Sequence, residues 1–214
     1  MTIIKPWNSP SNPQDKIWIN SRSFLKKHIF LITDLIILAL IIAGISLFQN
    51  IADSVLIISW FVIAIYLLCF RRYKSLSHLL ISTCIATIWV YLARDNYDYN
   101  YSYYTISGMN LLALMSWSLG MLGVLEIFSH FIIKREIVRF LIFILIFWIV
   151  LLLIETYAFH VIVIRNTATG TNIGLPLCNC IHAPWWMRIV YFTIGPSYYG
   201  ITLIADRYAD KLIP

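Results

Sequence analysis

Six apolar runs constrain this chain more than any motif does. Ile29–Phe48, Val55–Phe70, Leu79–Ala93, Ile106–Ile133, Ile137–Phe159 and a weaker run from Pro184 to Ala205 each approach or exceed the length of a bilayer crossing, which takes roughly 20 residues. Hydrocarbon offers no water to the backbone, so only helices and closed barrels span it. These runs are too continuous for barrel strands. The expectation is an all-α fold: a polytopic transmembrane helix bundle of about six spans. Val55–Phe70 and Leu79–Ala93 are short, so they are expected to tilt or to extend into their polar flanks. Composition agrees, with 60% hydrophobic and 12% charged residues against about 45–50% and about 25% in soluble domains.

Orientation follows from Lys and Arg, which collect in cytoplasmic segments. With six spans and a cytoplasmic N-terminus, 13 of the 16 basic residues fall inside, leaving Arg94, Arg165 and Arg188 outside. Both termini are then cytoplasmic. The chain divides into an N-terminal tail (1–28), a six-helix domain (29–205) with an extracytoplasmic loop (161–183), and a C-terminal tail (206–214). The proline-bearing head reads as irregular. Lys26-Lys27-His28 abuts the first run as a cytoplasmic anchor, with no small-residue cleavage site after that run. The localisation implied is integral membrane, of the bacterial inner (plasma) membrane type. The net charge of +6 is a topology signal. Basic stripes interleaved with aromatics are absent, so no nucleic acid partner is expected.

The outer loop concentrates reactive side chains in Cys178-Asn179-Cys180-Ile181-His182, followed by Pro184-Trp185-Trp186. Four readings arise. Cys178, Cys180 and His182 are weak candidates for a metal site, because thiolates and imidazole suit zinc or copper; a Cys-x-Cys-x-His pattern lacks the second ligand pair of a structural zinc motif. A Cys178–Cys180 disulfide would make a redox centre, although quinone-coupled thiol proteins normally carry Cys-x-x-Cys. His182 and Arg188 alternatively shape an active site without the sulfurs reacting. In the plainest reading the prolines set turns and Trp185-Trp186 anchor the last helix at headgroup depth. The second outer segment holds Tyr97, Tyr99, Tyr101, Tyr103 and Tyr104, which read as an interfacial aromatic belt or as a binding surface.

Ionisable groups inside spans are costly and default to functional hypotheses. Glu155 lies near the outer end of the fifth run; His160, five residues on, falls about 140° further round the helix. Glu126 and His130 share a face at i, i+4. With Asp34 and His78 they define an inner cluster that is either functional or a hydrogen-bonded network fixing the packing. Gly108, Ser116, Ser118, Gly120 and Gly123 on the fourth run are expected to allow close helix approach.

The fragment Phe48–Ser54, "FQNIADS", resembles the Phe-Asn-x-Ala-Asp-Ser signature of lipoprotein signal peptidases. It follows the first span instead of introducing the last, carries an extra residue, and has no second aspartate motif with it. Glu155, "GLPLCNCIHAPWW" and "GPSYY" are similar in order, though not in spacing, to segments of integral-membrane carotenoid hydratases, and the tyrosine-glycine segment between is missing. That likeness implies a hydrophobic substrate.

The functional expectation is an integral-membrane enzyme modifying a membrane lipid or isoprenoid at the extracytoplasmic side. Glu155, His160 and His182 would be catalytic; Arg165, Arg188, Trp185 and Trp186 would bind substrate. The sequence names no cofactor. The alternative is a non-catalytic subunit or assembly factor with a membrane-protein partner, and a metal- or thiol-redox protein is third. A transporter would want charges near the midplane and repeated helices. Orientation is testable: after mild reduction of intact cells, a membrane-impermeant thiol reagent is expected to label Cys178 or Cys180 in a variant whose Cys69 and Cys84 are serine. Labelling of neither, with an N-terminal tag reachable from outside, reverses the topology.

Overall fold

The computed structural model describes residues 13–212, with side chains described from Ile29 to Ala209. Six helices are found there: α1 Pro13–Leu47, α2 Ala52–Cys69, α3 Tyr73–Leu92, α4 Leu111–Ser129, α5 Glu136–His160 and α6 Trp185–Leu212. The first five are long and apolar enough to cross a membrane. At 28 residues α6 is long but less apolar, carrying Arg188, Asp206 and Arg207. The fold is the expected all-α membrane bundle.

The helix boundaries differ from the apolar runs where polar chemistry intervenes. Helix α1 begins at Pro13, inside the segment expected to be an irregular tail; proline suits a first helical position, where its missing N–H costs nothing. Residues 1–12 lie outside the described residues. Helix α6 continues through the expected C-terminal tail because its charges find partners: Asp206 meets Lys74 and His78, and Arg207 meets Glu136. The short second and third runs do extend into their flanks, to 18 and 20 residues. The fourth run loses its start to a small antiparallel hairpin, Thr105–Ile106 (β1) against Met109–Asn110 (β2). Asn110 then caps α4, its side-chain oxygen accepting from Ala113 N at 3.3 Å.

Helix α4 is the centre. Of its span 61% is buried, against none of the α1 span. Polar side chains join helices at bilayer depth: Trp60 Nε1 donates to Thr83 Oγ1 (3.0 Å), and Ser118 Oγ meets both Thr83 Oγ1 (2.8 Å) and Ser82 Oγ (3.3 Å). Such bonds are effective glue where no hydrophobic force drives helices together. Helices α5 and α6 approach closely at Gly195, where an added Cβ would overlap the Phe147 ring.

Each end of the bundle is pinned by a carboxylate. At the loop end, fully buried Asp53 accepts from Ser54 N (2.8 Å), Tyr103 N (2.7 Å) and Tyr104 N (3.0 Å), tying the start of α2 to the tyrosine segment. At the opposite end, Arg72 of the α2–α3 turn forks onto both Asp34 oxygens (2.7 and 3.0 Å) and reaches Glu126 Oε2 at 2.6 Å and Tyr66 Oη at 3.0 Å. Burial works against its charge, yet Asp34 and Glu126 together push its pKa above the ordinary guanidinium value. Within the cluster expected from the sequence, Asp34 and Glu126 meet through Arg72, while His78 meets Asp206 (3.0 Å).

Removing the cation from between two largely buried carboxylates should cost about 3–5 kcal/mol. Arg72→Ala is therefore expected to lower the thermal midpoint of the detergent-solubilised protein far more than Arg72→Lys, which keeps the charge and loses the fork. Equal midpoints for the two variants would refute the ion triad as the tie between α1, α2 and α4.

Candidate functional site

The loop-end core is organised by one phenol. Tyr97 is 1% exposed, and its oxygen accepts from Trp89 Nε1 (3.0 Å) and Trp117 Nε1 (3.1 Å). An indole N–H can only donate, so both lone pairs of that oxygen are filled. Its proton must then point to Tyr191 Oη, 3.1 Å away. Tyr191 accepts that bond, which leaves its own O–H free to donate. Burial pushes the Tyr97 phenol well above its usual pKa, so the proton stays in place. The result is a directed relay: two indoles into Tyr97, Tyr97 into Tyr191, and Tyr191 outward.

Tyr191 donates toward a cavity of about 150 Å³ enclosed by α4, α5, α6 and the two loops. Glu155 lines it, with Tyr99, Asn166, Thr169 and His182 as further polar residues. Tyr99 stacks on Tyr97 at 5.8 Å and is hydrogen-bonded by the Asn166 side chain. Among the described residues, no hydrogen-bond or ion-pair partner reaches the Glu155 carboxyl group. No Lys or Arg lines the cavity.

The other reactive side chains in and beside loop 161–183 fasten it. Cys178 and Cys180 are joined to each other. His160 Nε2 meets the Cys178 carbonyl at 2.8 Å. His182 lies between two carbonyls, Asn172 at 2.9 Å from Nδ1 and Asn179 at 3.1 Å from Nε2, and stacks on Phe159. Arg188 donates to the Ala183 carbonyl at 2.8 Å and to that of Ile173. Gly174 lets the strap close: a Cβ there would lie 2.8–2.9 Å from Asn179 and His182. Arg165 rests over the Phe159 ring (5.2 Å) and neither it nor Arg188 lines the cavity. Trp186 packs edge-on against Trp89 at 6.0 Å, and Trp185 is 74% exposed. No group of three or more His, Cys, Asp or Glu converges in metal-binding fashion among the described residues.

Of the residues singled out in the sequence, Glu155 and His182 therefore share one cavity, with His160 just behind the strap. Sequence reasoning named Tyr97 only as a member of the tyrosine segment, and missed Tyr191. The tyrosine segment read as a belt splits by position, Tyr97 entering the core while Tyr103 and Tyr104 stay 65% and 51% exposed.

A larger apolar groove of about 440 Å³ runs between α1, α2, α4 and α5. Its volume is in the usual range of ligand pockets, about 300–1,000 Å³. It shares Leu112, Ser116, Gly120, Ile154, Ala158 and Ile164 with the Glu155 cavity, so the two adjoin. Gly120 and Gly123 face this space, with nothing within 4 Å of an added Cβ. These small residues, expected to pack helices, open a groove instead.

Fold and site together define an all-α integral-membrane bundle with a carboxyl-bearing aromatic cavity at its loop end. Searches against protein-family models, curated proteins and solved structures find no match to this chain.

Tyr97→Phe should leave two buried indole N–H groups unsatisfied, at about 1–3 kcal/mol each. A clear fall in the thermal midpoint is expected. Unchanged stability would mean that water replaces the phenol and that the relay is not a structural unit.

Proposed function

We propose that this protein is an integral-membrane enzyme acting on a lipid or isoprenoid at the extracytoplasmic face of a plasma membrane. The observation that carries the reading is the unpartnered Glu155, set in a cavity that adjoins an apolar groove. Elsewhere in the bundle the carboxylates of Asp34, Asp53, Glu126 and Asp206 are engaged. A carboxyl group kept free in such surroundings suits general acid or base work. Tyr191 would donate a hydrogen bond to the reacting oxygen, in the role first assigned to His160 or His182; both ring nitrogens of His182 and Nε2 of His160 face loop carbonyls.

A second reading, a non-catalytic subunit or assembly factor with a membrane-protein partner, draws on the same strap. A loop fastened by a disulfide, two imidazoles and a guanidinium makes a rigid docking surface.

Glu155→Gln preserves the shape and removes the proton exchange. In cells expressing equal amounts of each form, mass spectrometry of total lipids is expected to show one species depleted and its precursor accumulated in the variant. The loss of turnover should be about 100-fold or more, as for removal of a general acid or base. Identical lipid profiles at equal protein level would exclude the enzyme reading and leave the assembly factor.

A further inference from the structure

The groove and the cavity differ in what they offer, and their junction restricts what can occupy both. Most of helix α4 is buried, and Ser116, Gly120, Gly123 and Ile127, which are not, recur at helical spacing as one stripe. Ser116 is exposed although it sits in mid-helix. The groove along this stripe reaches from Ile164 and Leu112 at the loop end to Asp34 and Glu126 at the other. Between Leu112 and Glu126 that is about 21 Å of helix rise. Helices α1 and α5 stand apart along it, bridged at the loop end where Ser46 Oγ meets Tyr157 Oη at 2.9 Å.

Electrostatics then selects the head of the occupant. The cavity presents one free carboxyl group and the unengaged Tyr191 O–H; no Lys or Arg lines it, and both ring nitrogens of His182 are turned to loop carbonyls. At the far end Arg72 is enclosed by two carboxylates and the Tyr66 phenol. Both polar ends of this space are therefore hostile to an anion. A phosphate placed beside Glu155 would lose its hydration and find no Lys or Arg to pair with, the His182 ring nitrogens being turned to loop carbonyls. A hydroxyl or carbonyl oxygen, in contrast, accepts from Tyr191, and a hydroxyl also donates to Glu155.

We infer that the site takes an uncharged lipid with a hydroxyl or carbonyl end, its head between Tyr191 and Glu155 and its chain in the groove along Ser116, Gly120 and Gly123. This deepens the enzyme reading and rests on it only for turnover; binding stands by itself. Phospholipids and prenyl diphosphates are excluded as head-bound substrates.

The test is photolabelling of the full chain in detergent micelles with two probes sharing a long alkyl chain that carries a diazirine. One probe ends in a primary alcohol, the other in a phosphate monoester. The alcohol is expected to label α4 and α5 within residues 112–162, at least about tenfold more than the phosphate, a ratio that a modest binding difference provides. Gly120→Trp, which fills the junction, should reduce that labelling about tenfold. If Gly120→Trp does not fold, Ser116→Phe enters the same junction from the preceding turn. Equal labelling by both probes, or labelling indifferent to the plug, overturns the inference even if Glu155→Gln abolishes turnover. Selective alcohol labelling with no lipid change in Glu155→Gln keeps the binding site and removes the catalysis.

Discussion

In hydrocarbon a polar side chain must find its partner inside the protein, and this requirement decides how the helices sit. Insertion scales put a charge at the middle of a span about 2.5–3.5 kcal/mol uphill, so each carboxylate acts as an anchor that draws a donor from another element. Asp34 and Glu126 both bind Arg72, which fixes α1 and α4 against the α2–α3 turn. Asp53 takes backbone N–H groups from the tyrosine segment, and Asp206 ties α6 to the start of α3. Helix α1 shows the consequence clearly. None of its span is buried, so its place depends on the Asp34–Arg72 link together with limited packing on α2 and α4. Against this pattern the unpartnered carboxyl of Glu155 stands out, and its position inside a cavity is what separates it from a packing residue.

The site's polarity is a matter of counting valences. Two indoles saturate the Tyr97 oxygen, and that fixes the direction of every later bond. Donors aligned in series polarise one another, so the Tyr191 hydroxyl is a better donor than an isolated phenol in the same cavity. The strap does complementary work. Asn179 and Ile181 have φ of 42° and 52°, a left-handed backbone that a branched residue such as Ile181 adopts only under constraint. The disulfide and the bonds to His160, His182 and Arg188 supply that constraint, and they hold Ile181 and His182 against the cavity.

The spans were legible in the sequence because twenty apolar residues admit few alternatives, and Glu155 was legible because a charge in such a run is conspicuous. The rest was hidden for specific reasons. Arg72 counted toward topology, since basic residues at helix ends are ordinarily solvated; only the approach of Asp34 and Glu126, 38 and 54 residues away, makes it an anchor. The cysteines and histidines carried the usual marks of chemistry, yet nothing in their spacing tells a ligand set from a fastened turn. Tyr97 is one of five tyrosines in eight positions. What singles it out is a pair of tryptophans at 8 and 20 residues' distance, and no local pattern announces that convergence. In the fragment similar to the signal-peptidase motif, Asp53 is buried and accepts from three backbone N–H groups.

The open stripe of α4 has a different standing in a membrane from the one it would have in water. A soluble protein with an apolar groove of this size would gain by closing it, since burial removes surface from water. Lipid tails are as apolar as leucine, so a membrane bundle gains little from closure and a groove costs little to keep. Gly120 and Gly123 alone would therefore be weak grounds for a binding site. The weight falls on the junction, where a groove that any acyl chain could enter meets a cavity that few head groups could tolerate. An anion faces a carboxyl group with no Lys or Arg beside it there, and a purely apolar end leaves Glu155 and Tyr191 without partners. Only an uncharged polar end satisfies both, and the selectivity of the site therefore resides in its two polar atoms while the groove supplies length.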